Sequence, residues 1–433
     1  TGEVLGHVNY QEPPKSAQSA SADKLAAKPS VEIYDGKGGL TAIMTPPSGT
    51  KYFGLPGSQM RLNGVEVSLK GQPIEPDPST KANRVEKAMT PQQVSPHAII
   101  LGAGMATRFE PISGDNTEYS KPGVPLMGDK TVIRMIAERL GQAGFKDVFI
   151  NTYYKREGMK AGLKGTPGVN FHYLDEVIPS GTAGGMRAVL ESTDKYPNYL
   201  DPNKPVLVVQ GDSVTDVDFA QLMAVHQEKN AAVTIGCMIK PDEDVEKFGI
   251  VATDKSGQDG QSGQIQHFLE KPTLAEAGPH RLANTGIYIF SPEAFKVVLD
   301  VYREKKDDMS LPESDRNAKG ELLLDFAKHI FPEVLKRAKA GEIQDKDGNP
   351  KPFWAQVVKG YWSDIGNPTQ YVRTVRELYA GHSQLVPPEA AKANTTFYEQ
   401  GIIYWPGAKE RAKQEGAELS GNVVVALPYK ESK

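Results

Sequence analysis

Short apolar runs alternate with segments of helical period along residues 97–290, and this alternation restricts the fold more than any other feature of the sequence. The runs His97–Leu101 and Val206–Val209 have the length and composition of buried strands, and apolar residues between positions 133 and 140 recur at helical spacing. Strands that alternate with helices form mostly parallel sheets covered on both faces. We therefore predict an α/β protein with a Rossmann-like, mostly parallel mixed sheet that binds ligands at the carboxyl ends of its strands.

Length, charge and cysteine content exclude several classes of protein. The 433 residues are enough for two or three domains, and 50 Lys and Arg nearly balance 54 Asp and Glu. This balance leaves no cationic excess for nucleic-acid binding, and no apolar run approaches the roughly 18 residues that a membrane span requires. The single Cys237 excludes an internal disulfide and a Cys-based zinc site. Because the first residues lack a secretory signal pattern, we expect a cytoplasmic protein that binds neither nucleic acid nor membranes.

The two ends of the chain differ in composition from its middle. Residues 1–95 contain 10 of the 32 prolines, and the stretch Gln11–Ser30, rich in Ser, Ala, Lys and Pro, predicts a flexible arm. Alternating apolar residues between positions 31 and 69 predict a small β-rich part. Near the end of the chain, Gly401–Trp405 and Gly421–Ala426 predict two short strands.

These differences predict three parts. They are an N-terminal extension over 1–95, a catalytic or binding domain over 96–376, and a C-terminal segment over 377–433 whose two strands form one β-helix-like turn.

The loop after the first strand contains closely spaced glycines. Its sequence, Gly102-Ala-Gly-Met-Ala-Thr-Arg-Phe109, ends in Arg108 and is followed by Lys121. Glycines let backbone N–H groups approach phosphate oxygens, and Arg and Lys neutralise such oxygens. A dinucleotide fingerprint is excluded because Thr107 replaces the third glycine and the next strand ends at Asn151 instead of an acidic residue. The loop predicts a triphosphate site, and a tight turn with solvated charges is the alternative.

Two aspartates follow apolar segments that lie far apart in the chain. Asp212 comes directly after the run ending at Val209, and Asp364 lies 152 residues later in Gly360-Tyr-Trp-Ser-Asp-Ile-Gly366. Mg²⁺ binds one or two carboxylates and completes its octahedron with water and phosphate oxygens. A shared metal ion would relieve the cost of burying both carboxylates. The alternative for Asp212 is the N-cap of a following helix.

A third group of polar residues lies between positions 268 and 286. In Phe268-Leu-Glu-Lys-Pro272, Glu270 can accept hydrogen bonds from two neighbouring sugar hydroxyls, and Lys271 can attract a phosphate. Asn284 can bind a further hydroxyl, or it can form an Asx turn. Taken separately, each of these short motifs is also compatible with an ordinary strand end and turn.

Two residues that often carry chemistry are assigned to the core instead. His226 falls in the apolar phase of a helix, and Cys237 lies within the apolar run Val233–Ile239. We therefore expect neither a histidine base nor a cysteine nucleophile.

In this order, the motifs resemble the sugar-1-phosphate nucleotidyltransferase family over about residues 96–376. That family has a glycine loop ending in Arg, followed by Lys-Pro, Gly-Asp, Glu-Lys-Pro, Asn-x-Gly and Trp-x-Asp-x-Gly. The stretch Ser180–Met186 resembles the UTP–glucose-1-phosphate and GTP–mannose-1-phosphate branches, and its Ala-Gly-Gly-Met part favours the former. Family loops have the pattern Ala-Gly-x-Gly-Thr-Arg, whereas Met105 and Ala106 precede Thr107 here. The resemblance implies a GT-A-like nucleotidyltransferase fold with an added N-terminal extension and a short C-terminal β piece.

The resemblance also implies roles for individual residues. The nucleotide would be bound by Gly102, Ala103, Gly104, Glu176, Gly181 and Thr182. The sugar phosphate would be bound by Gly249, Glu270, Lys271 and Asn284. The catalytic groups would be Arg108, Lys121 and Asp212, and the Mg²⁺ ligands would be Asp212 and Asp364.

The implied reaction joins a nucleoside triphosphate, expected to be UTP, to a hexose-1-phosphate, expected to be glucose-1-phosphate. Its products are a nucleotide sugar and pyrophosphate. The alternatives are a mannose-1-phosphate guanylyltransferase and a non-catalytic regulatory relative that binds a nucleotide sugar. The expected partners are these small-molecule substrates, together with further copies of the chain if it forms a homo-oligomer.

Overall fold

A computed structural model describes most of the chain between residues 97 and 385 and shorter stretches at both ends. The described residues are 8–11, 30–33, 41–43, 51–54, 59–62, 65–67, 97–104, 106–110, 112–113, 119–128, 130–192, 203–254, 261–385, 398–399, 401–405, 407–420 and 423–426. Most of the predicted flexible arm, residues 12–29, lies outside these ranges.

A nine-stranded mixed sheet forms the centre of the described structure. Seven of its strands point in one direction, and Leu282–Phe290 and Gly263–Glu270 run opposite to them. The order across the sheet is Asn170–Asp175, Asp147–Thr152, His97–Leu101, Val206–Gln210, Leu282–Phe290, Val233–Ile239, Phe353–Val357, Gly263–Glu270 and Gly249–Thr253. The predicted α/β fold with a mostly parallel mixed sheet is therefore confirmed.

Both faces of the sheet are buried at its central strands, which explains the unbroken apolar runs within His97–Leu101 and Val206–Gln210. In the strand His97–Leu101, Ala98 and Ile100 pack into one hydrophobic cluster, and Ile99 and Leu101 pack into another on the opposite face. Helices cover the two clusters, as expected for parallel strands joined by helical crossovers.

The helices begin where the sequence supplies capping residues. The Thr131 hydroxyl accepts a hydrogen bond from Arg134 N (3.3 Å), and the Asp218 carboxylate accepts one from Gln221 N (2.9 Å). The α-helices among the described residues are Val132–Gln142, Arg156–Gly162, Gly184–Glu191, Phe219–Glu228, Leu274–Ala277, Pro292–Lys305, Phe331–Lys339, Pro368–Tyr379 and Ala408–Gln414. Short 3-10 helices are formed by Thr107–Phe109, Lys121–Gly123, Asp242–Lys247 and Glu313–Asp315, and Phe326–Ile330 forms a single π-helical turn.

Two short strand pairs lie beside the main sheet. Pro125–Met127 pairs with Lys130–Thr131, and Ser213–Thr215 pairs with Trp362–Asp364. The second pair joins segments that are about 150 residues apart and brings Asp364 beside Ser213, the residue after Asp212.

The two ends of the chain share their β-structure. Lys51–Gly54 pairs with Val423–Ala426, and Gln59–Leu62 pairs with Ala417–Ser420. We call the larger of the resulting sheets the terminal sheet. Its order is Val8–Gln11, Ser30–Ile33, Thr41–Ile43, Lys51–Gly54, Val423–Ala426, Ile402–Tyr404 and Tyr398–Glu399. Gln59–Leu62 also pairs with Val65–Val67 in a separate three-stranded sheet.

The two predicted C-terminal strands are present in the terminal sheet. Ile402–Tyr404 and Val423–Ala426 lie side by side and parallel, and the helix Ala408–Gln414 lies between them in the chain. The boundaries of the three predicted parts and the β-helix-like turn remain predictions.

The core assignments of two polar residues are confirmed. His226 is 3% exposed, its Nδ1 is hydrogen-bonded to the Thr234 hydroxyl (2.9 Å), and burial lowers its pKa to about 3. Cys237 is fully buried, and burial raises the pKa of its thiol. In the part of the chain that the structure describes, no helix combines the length and the apolar character needed to cross a membrane.

Candidate functional site

The glycine loop begins at the carboxyl end of the central strand His97–Leu101. Gly102 N donates a hydrogen bond to Asn151 Oδ1 (2.9 Å), and a Cβ at this position would lie 2.8 Å from Met159 Sδ. Gly104 is exposed, and a Cβ there would meet no described protein atom within 4 Å. Gly102 is therefore required by packing, whereas Gly104 leaves open space above the strand end for a ligand.

Ala106 adopts a backbone conformation that favours glycine. Its φ of 56° and ψ of 28° are left-handed, at the position where the sequence pattern of the family has glycine. Ala106 precedes the turn Thr107–Phe109, in which Arg108 is exposed and Phe109 is fully buried. The turn thus anchors the loop through Phe109 and leaves the Arg108 guanidinium available at the surface.

The short pair Ser213–Thr215 and Trp362–Asp364 brings the two predicted aspartates together. Ser213 is the register partner of Asp364, and Ile365 N donates a hydrogen bond to Asp212 O (3.3 Å). The preceding residue, Gly211, donates its N–H to Leu101 O (2.8 Å), and a Cβ there would approach the same oxygen to 2.7 Å. Asp212 is therefore held next to the glycine loop. It precedes a strand instead of capping a helix, so the N-cap alternative is wrong.

Lys121 lies between the two carboxylates. Its Nζ donates a hydrogen bond to Asp212 Oδ2 and lies 3.8 Å from Asp364 Oδ1. The side chain of Lys121 is 11% exposed, compared with 29% for Asp212 and 34% for Asp364, so the carboxylates are more accessible than the cation. We call Lys121, Asp212 and Asp364 the carboxylate cluster.

Burial and repulsion from Asp212 both disfavour the ionised form of Asp364. Burial and the neighbouring Asp212 raise the pKa of Asp364 well above its usual value, although Lys121, Arg108 and Lys271 act in the opposite direction. Three cationic side chains from separate segments therefore act on one carboxyl group. An additional positive charge at this position would favour the ionised form of Asp364.

The donor set fits a divalent cation that shares its coordination with a phosphate ligand. The cluster supplies two carboxylates, and no group of three or more His, Cys, Asp or Glu suited to a metal occurs among the described residues. Mg²⁺ is bound in this manner in many phosphate sites, where one or two carboxylates suffice. A cation that needs a complete protein-derived cage does not fit this cluster.

Glu176 lies near the glycine loop and is fixed by two hydrogen bonds. Its Oε1 accepts a hydrogen bond from Asn151 Nδ2 (2.8 Å), and its Oε2 accepts one from Ser180 N (2.9 Å). Asn151 is 2% exposed and also binds Gly102 N through its Oδ1. Asn151 therefore connects the glycine loop to the segment that begins at Glu176. Each carboxylate oxygen of Glu176 thus accepts a hydrogen bond from the protein.

Gly181 and Thr182 dock onto a distant segment. Gly181 has a φ of +91°, and a Cβ there would lie 2.3 Å from Leu324 O. The Thr182 hydroxyl donates to Asp325 Oδ2 (2.9 Å) and accepts from Phe326 N (3.1 Å). These contacts hold Gly181 and Thr182 against the start of the π-helical turn Phe326–Ile330.

The predicted sugar-phosphate residues lie at the same edge of the main sheet. Gly249 is the register partner of Glu270, and a Cβ at Gly249 would lie 3.0 Å from Glu270 Oε2. Lys271 Nζ lies 3.6 Å from Glu270 Oε1, and both side chains are about half exposed. This position leaves Glu270 accessible to a ligand.

Asn284 forms the Asx turn that the sequence left as an alternative. Its Oδ1 accepts from Gly286 N (2.9 Å), and its Nδ2 donates to the buried Tyr288 hydroxyl (3.0 Å). Burial and Asp325 raise the pKa of Glu270, although Lys271 and Lys328 oppose this shift. We call Glu270, Asn284, Tyr288 and Asp325 the glutamate cluster.

Two residues of the site were missed by the sequence analysis. Asn151 was noted only as the end of a strand, and its position at a carboxyl end was the available signal. Asp325 lies in no motif, and only the packing of residues 323–326 against Gly181 and Thr182 brings it to the glutamate cluster.

Comparisons with known proteins give the family of the chain. Residues 97–380 match the family described as nucleotidyl transferase. The chain is 28% identical over 290 residues to UTP–glucose-1-phosphate uridylyltransferase of Synechocystis sp., covering 64% of this chain and 62% of that protein. It is 26% identical over 313 residues to glucose-1-phosphate adenylyltransferase 2 of Vibrio parahaemolyticus, covering 67% of each. The chain thus spans slightly less than two thirds of the uridylyltransferase.

A solved structure was also compared with the chain. The crystal structure of a UDP-glucose pyrophosphorylase complexed with UDP-glucose covers 66% of this chain and 98% of its own, at 19% identity and a TM-score of 0.47.

Proposed function

The chain belongs to the nucleotidyl transferase family, and we propose that it joins UTP to glucose-1-phosphate to give UDP-glucose and pyrophosphate. The observation that carries this proposal is the convergence of Asp212, Asp364 and Lys121 beside an exposed glycine loop. Such a cluster suits the alignment of two phosphate-bearing substrates. The chemistry below is derived from these side chains.

The proposed step is a displacement at phosphorus. An oxygen of the sugar phosphate attacks the α-phosphorus of the triphosphate, a new P–O bond forms, and the bond between the α-phosphorus and the bridging oxygen breaks. Pyrophosphate leaves with the electron pair of that bond. The attacking oxygen is already ionised at neutral pH, so no protein base has to remove a proton. This agrees with the burial of His226 away from the solvent.

The protein contributes alignment and charge neutralisation. We assign the triphosphate to Gly102, Ala103 and Gly104, with Arg108 and Lys121 neutralising the reacting phosphates. We assign the base to the wall formed by Glu176, Gly181 and Thr182. The sugar phosphate is assigned to Gly249, Glu270 and Lys271. Asn284, whose amide forms the Asx turn and the hydrogen bond to Tyr288, is assigned to holding this part of the site in place.

Asp212 and Asp364 are assigned to hold a Mg²⁺ ion. When bound, this ion would supply positive charge to phosphate oxygens and lower the repulsion between two anionic substrates. The convergence of both carboxylates on the Lys121 Nζ supports this assignment.

A second candidate keeps the chemistry and changes the base. Glucose-1-phosphate adenylyltransferases are among the relatives at similar identity, which favours ATP as the alternative substrate. A guanylyltransferase that uses mannose-1-phosphate is the third candidate. Each carboxylate oxygen of Glu176 accepts one hydrogen bond within the protein and keeps a second lone pair that can accept from guanine.

A pyrophosphate-release assay separates these candidates. UTP, ATP and GTP are each combined with glucose-1-phosphate and mannose-1-phosphate, with Mg²⁺ and with excess chelator. We expect turnover with UTP and glucose-1-phosphate in the presence of Mg²⁺. Turnover with ATP alone would assign the adenylyl reaction, and binding of a nucleotide sugar without turnover would assign a regulatory role. Undiminished turnover in chelator would overturn the metal assignment.

A further inference from the structure

Tyr371 lies at a buried junction between the candidate site and the terminal sheet. It is fully buried in the helix Pro368–Tyr379, seven residues after Asp364. Its hydroxyl donates a hydrogen bond to Pro125 O (2.6 Å) and accepts one from Trp405 Nε1 (3.0 Å). The ring of Phe109 meets its ring edge-on, with centroids 5.7 Å apart. One side chain thus contacts three separate segments of the protein.

Trp405 is the part of this junction that comes from the terminal sheet. It is 1% exposed, directly follows the strand Ile402–Tyr404, and donates its backbone N–H to Val425 O (2.9 Å). Its ring packs edge-on against the ring of Tyr119, with centroids 4.6 Å apart. Trp405 therefore ties the terminal sheet to two aromatic residues near the site.

Each contact of this junction lies close in sequence to a charge of the site. Phe109 follows Arg108 directly, and Tyr119 precedes Lys121 by two residues. Pro125 follows Lys121 by four residues. Buried aromatic rings and hydrogen bonds restrict backbone movement, because their rearrangement would expose apolar surface or leave polar atoms without partners. Movement of the terminal sheet would consequently be transmitted to Arg108 and Lys121.

We propose that Tyr371 and Trp405 are positioning residues. Through them, the terminal sheet fixes the positions of Arg108, Lys121 and Asp364 relative to one another. The effect on catalysis rests on the proposed function, whereas the effect on loop order does not. The terminal sheet contains strands from both ends of the chain, so both ends contribute to this support.

The test compares Trp405→Phe and Tyr371→Phe with a control, Ile403→Val. Each aromatic substitution keeps a ring. Trp405→Phe removes the indole N–H that bonds to Tyr371, and Tyr371→Phe removes the hydroxyl that bonds to both Trp405 and Pro125. The control shortens a fully buried side chain two residues before Trp405 and leaves the hydrogen bonds among Trp405, Tyr371 and Pro125 unchanged. Pyrophosphate release is measured for all three at a temperature well below unfolding, and hydrogen exchange is measured over residues 106–110 and 119–127.

We expect kcat to fall about tenfold in each aromatic variant with little change in KM for the sugar phosphate, because small misplacements of charge affect the transition state most. Exchange over residues 106–110 and 119–127 should become faster than in the control. The double variant Trp405→Phe/Tyr371→Phe should be no slower in turnover than the worse single variant, since both changes break the same chain of contacts.

Equal kcat and equal exchange in Trp405→Phe and Ile403→Val would overturn the inference. If the wild-type protein releases no pyrophosphate with any substrate pair, the proposed function fails, and the exchange comparison alone decides whether the junction orders the loops. Additive effects in the double variant would show that the two residues act separately, contrary to the proposal.

Discussion

The carboxylate cluster and the glutamate cluster lie at the same edge of the main sheet but differ in how their polar groups are satisfied. In the carboxylate cluster, two acidic side chains face each other and share one lysine. In the glutamate cluster, Asn284 uses both ends of its amide within the protein, and Asp325 accepts hydrogen bonds from Thr182 and Lys328 N. In the carboxylate cluster, two acidic side chains depend on one lysine. In the glutamate cluster, internal hydrogen bonds hold Asn284 and Asp325, and Glu270, which Asp325 repels, stays accessible.

This difference indicates what each end contributes to a reaction. Repulsion between carboxylates is relieved when a cation binds, so the carboxylate cluster is suited to neutralising charge. A hydrogen-bonded cluster holds its shape before a ligand arrives, so the glutamate cluster is suited to selecting a sugar by geometry. Substitutions in the carboxylate cluster should therefore change kcat, and those in the glutamate cluster should change KM.

The largest effect is expected for Asp212→Asn. We expect kcat to fall about a thousandfold, or about 4 kcal/mol, because the amide keeps the shape of the carboxylate but loses its charge. Steady-state pyrophosphate release at saturating substrates measures this loss. Asp218→Asn is the matched control, since Asp218 caps the helix Phe219–Glu228 and Asn caps equally well. Near-normal turnover in Asp212→Asn would remove the proposed role of the carboxylate cluster.

Arg108→Ala should have the next largest effect. The exposed guanidinium acts on Asp364 and lies beside the glycine loop, so its loss should lower kcat about a hundredfold through weaker charge stabilisation. Thermal unfolding should be unchanged because Arg108 is exposed. Arg108→Lys should restore part of the activity. A lysine variant as slow as the alanine variant would indicate that a bidentate contact is required instead of charge alone.

Glu270→Gln tests the other end of the site. We expect KM for the sugar phosphate to rise about tenfold, or about 1.4 kcal/mol, with a smaller change in kcat, since a charged acceptor binds hydroxyls more strongly than an amide. Initial rates at varied sugar phosphate measure the two constants separately. Glu276→Gln, six residues later in an exposed capping box, is the control. A fall in kcat without a change in KM would contradict the proposed division between the two clusters.

The smallest effect is expected for Ala106→Gly. The left-handed backbone at Ala106 is strained for alanine, so glycine should stabilise the fold by up to about 1 kcal/mol. Urea unfolding measures this change. Ala143→Gly, at an ordinary φ of −80°, should instead destabilise the protein. Destabilisation by both glycine substitutions would show that the loop does not store strain at Ala106.

Much of the site could be anticipated because each motif lies directly at the end of a strand. Gly102 follows His97–Leu101, and Asp212 lies two residues after Val206–Gln210, so the rule for parallel sheets placed both at one edge. Asn284 could not be assigned in this way. Its short motif is compatible with ligand binding and with an Asx turn, and only the observed partners distinguish the two.

Asp325 could not be found from the sequence for a different reason. It has no motif and reaches the site through the hydroxyl of Thr182, 143 residues away. The pairing of Lys51–Gly54 with Val423–Ala426 was missed for the same reason, since strand partners at opposite ends of a chain leave no local signal.

The alternation of buried strands and helices, the glycine loop and the chemical types of the site residues could all be predicted from the amino-acid sequence. These depend on local pattern and composition, which the chain carries at each position. The positions of Lys121 between Asp212 and Asp364 and of Trp405 against Tyr371 are seen only in the folded protein. Such contacts depend on packing between segments more than 30 residues apart, and side-chain geometry across those distances follows from the complete fold.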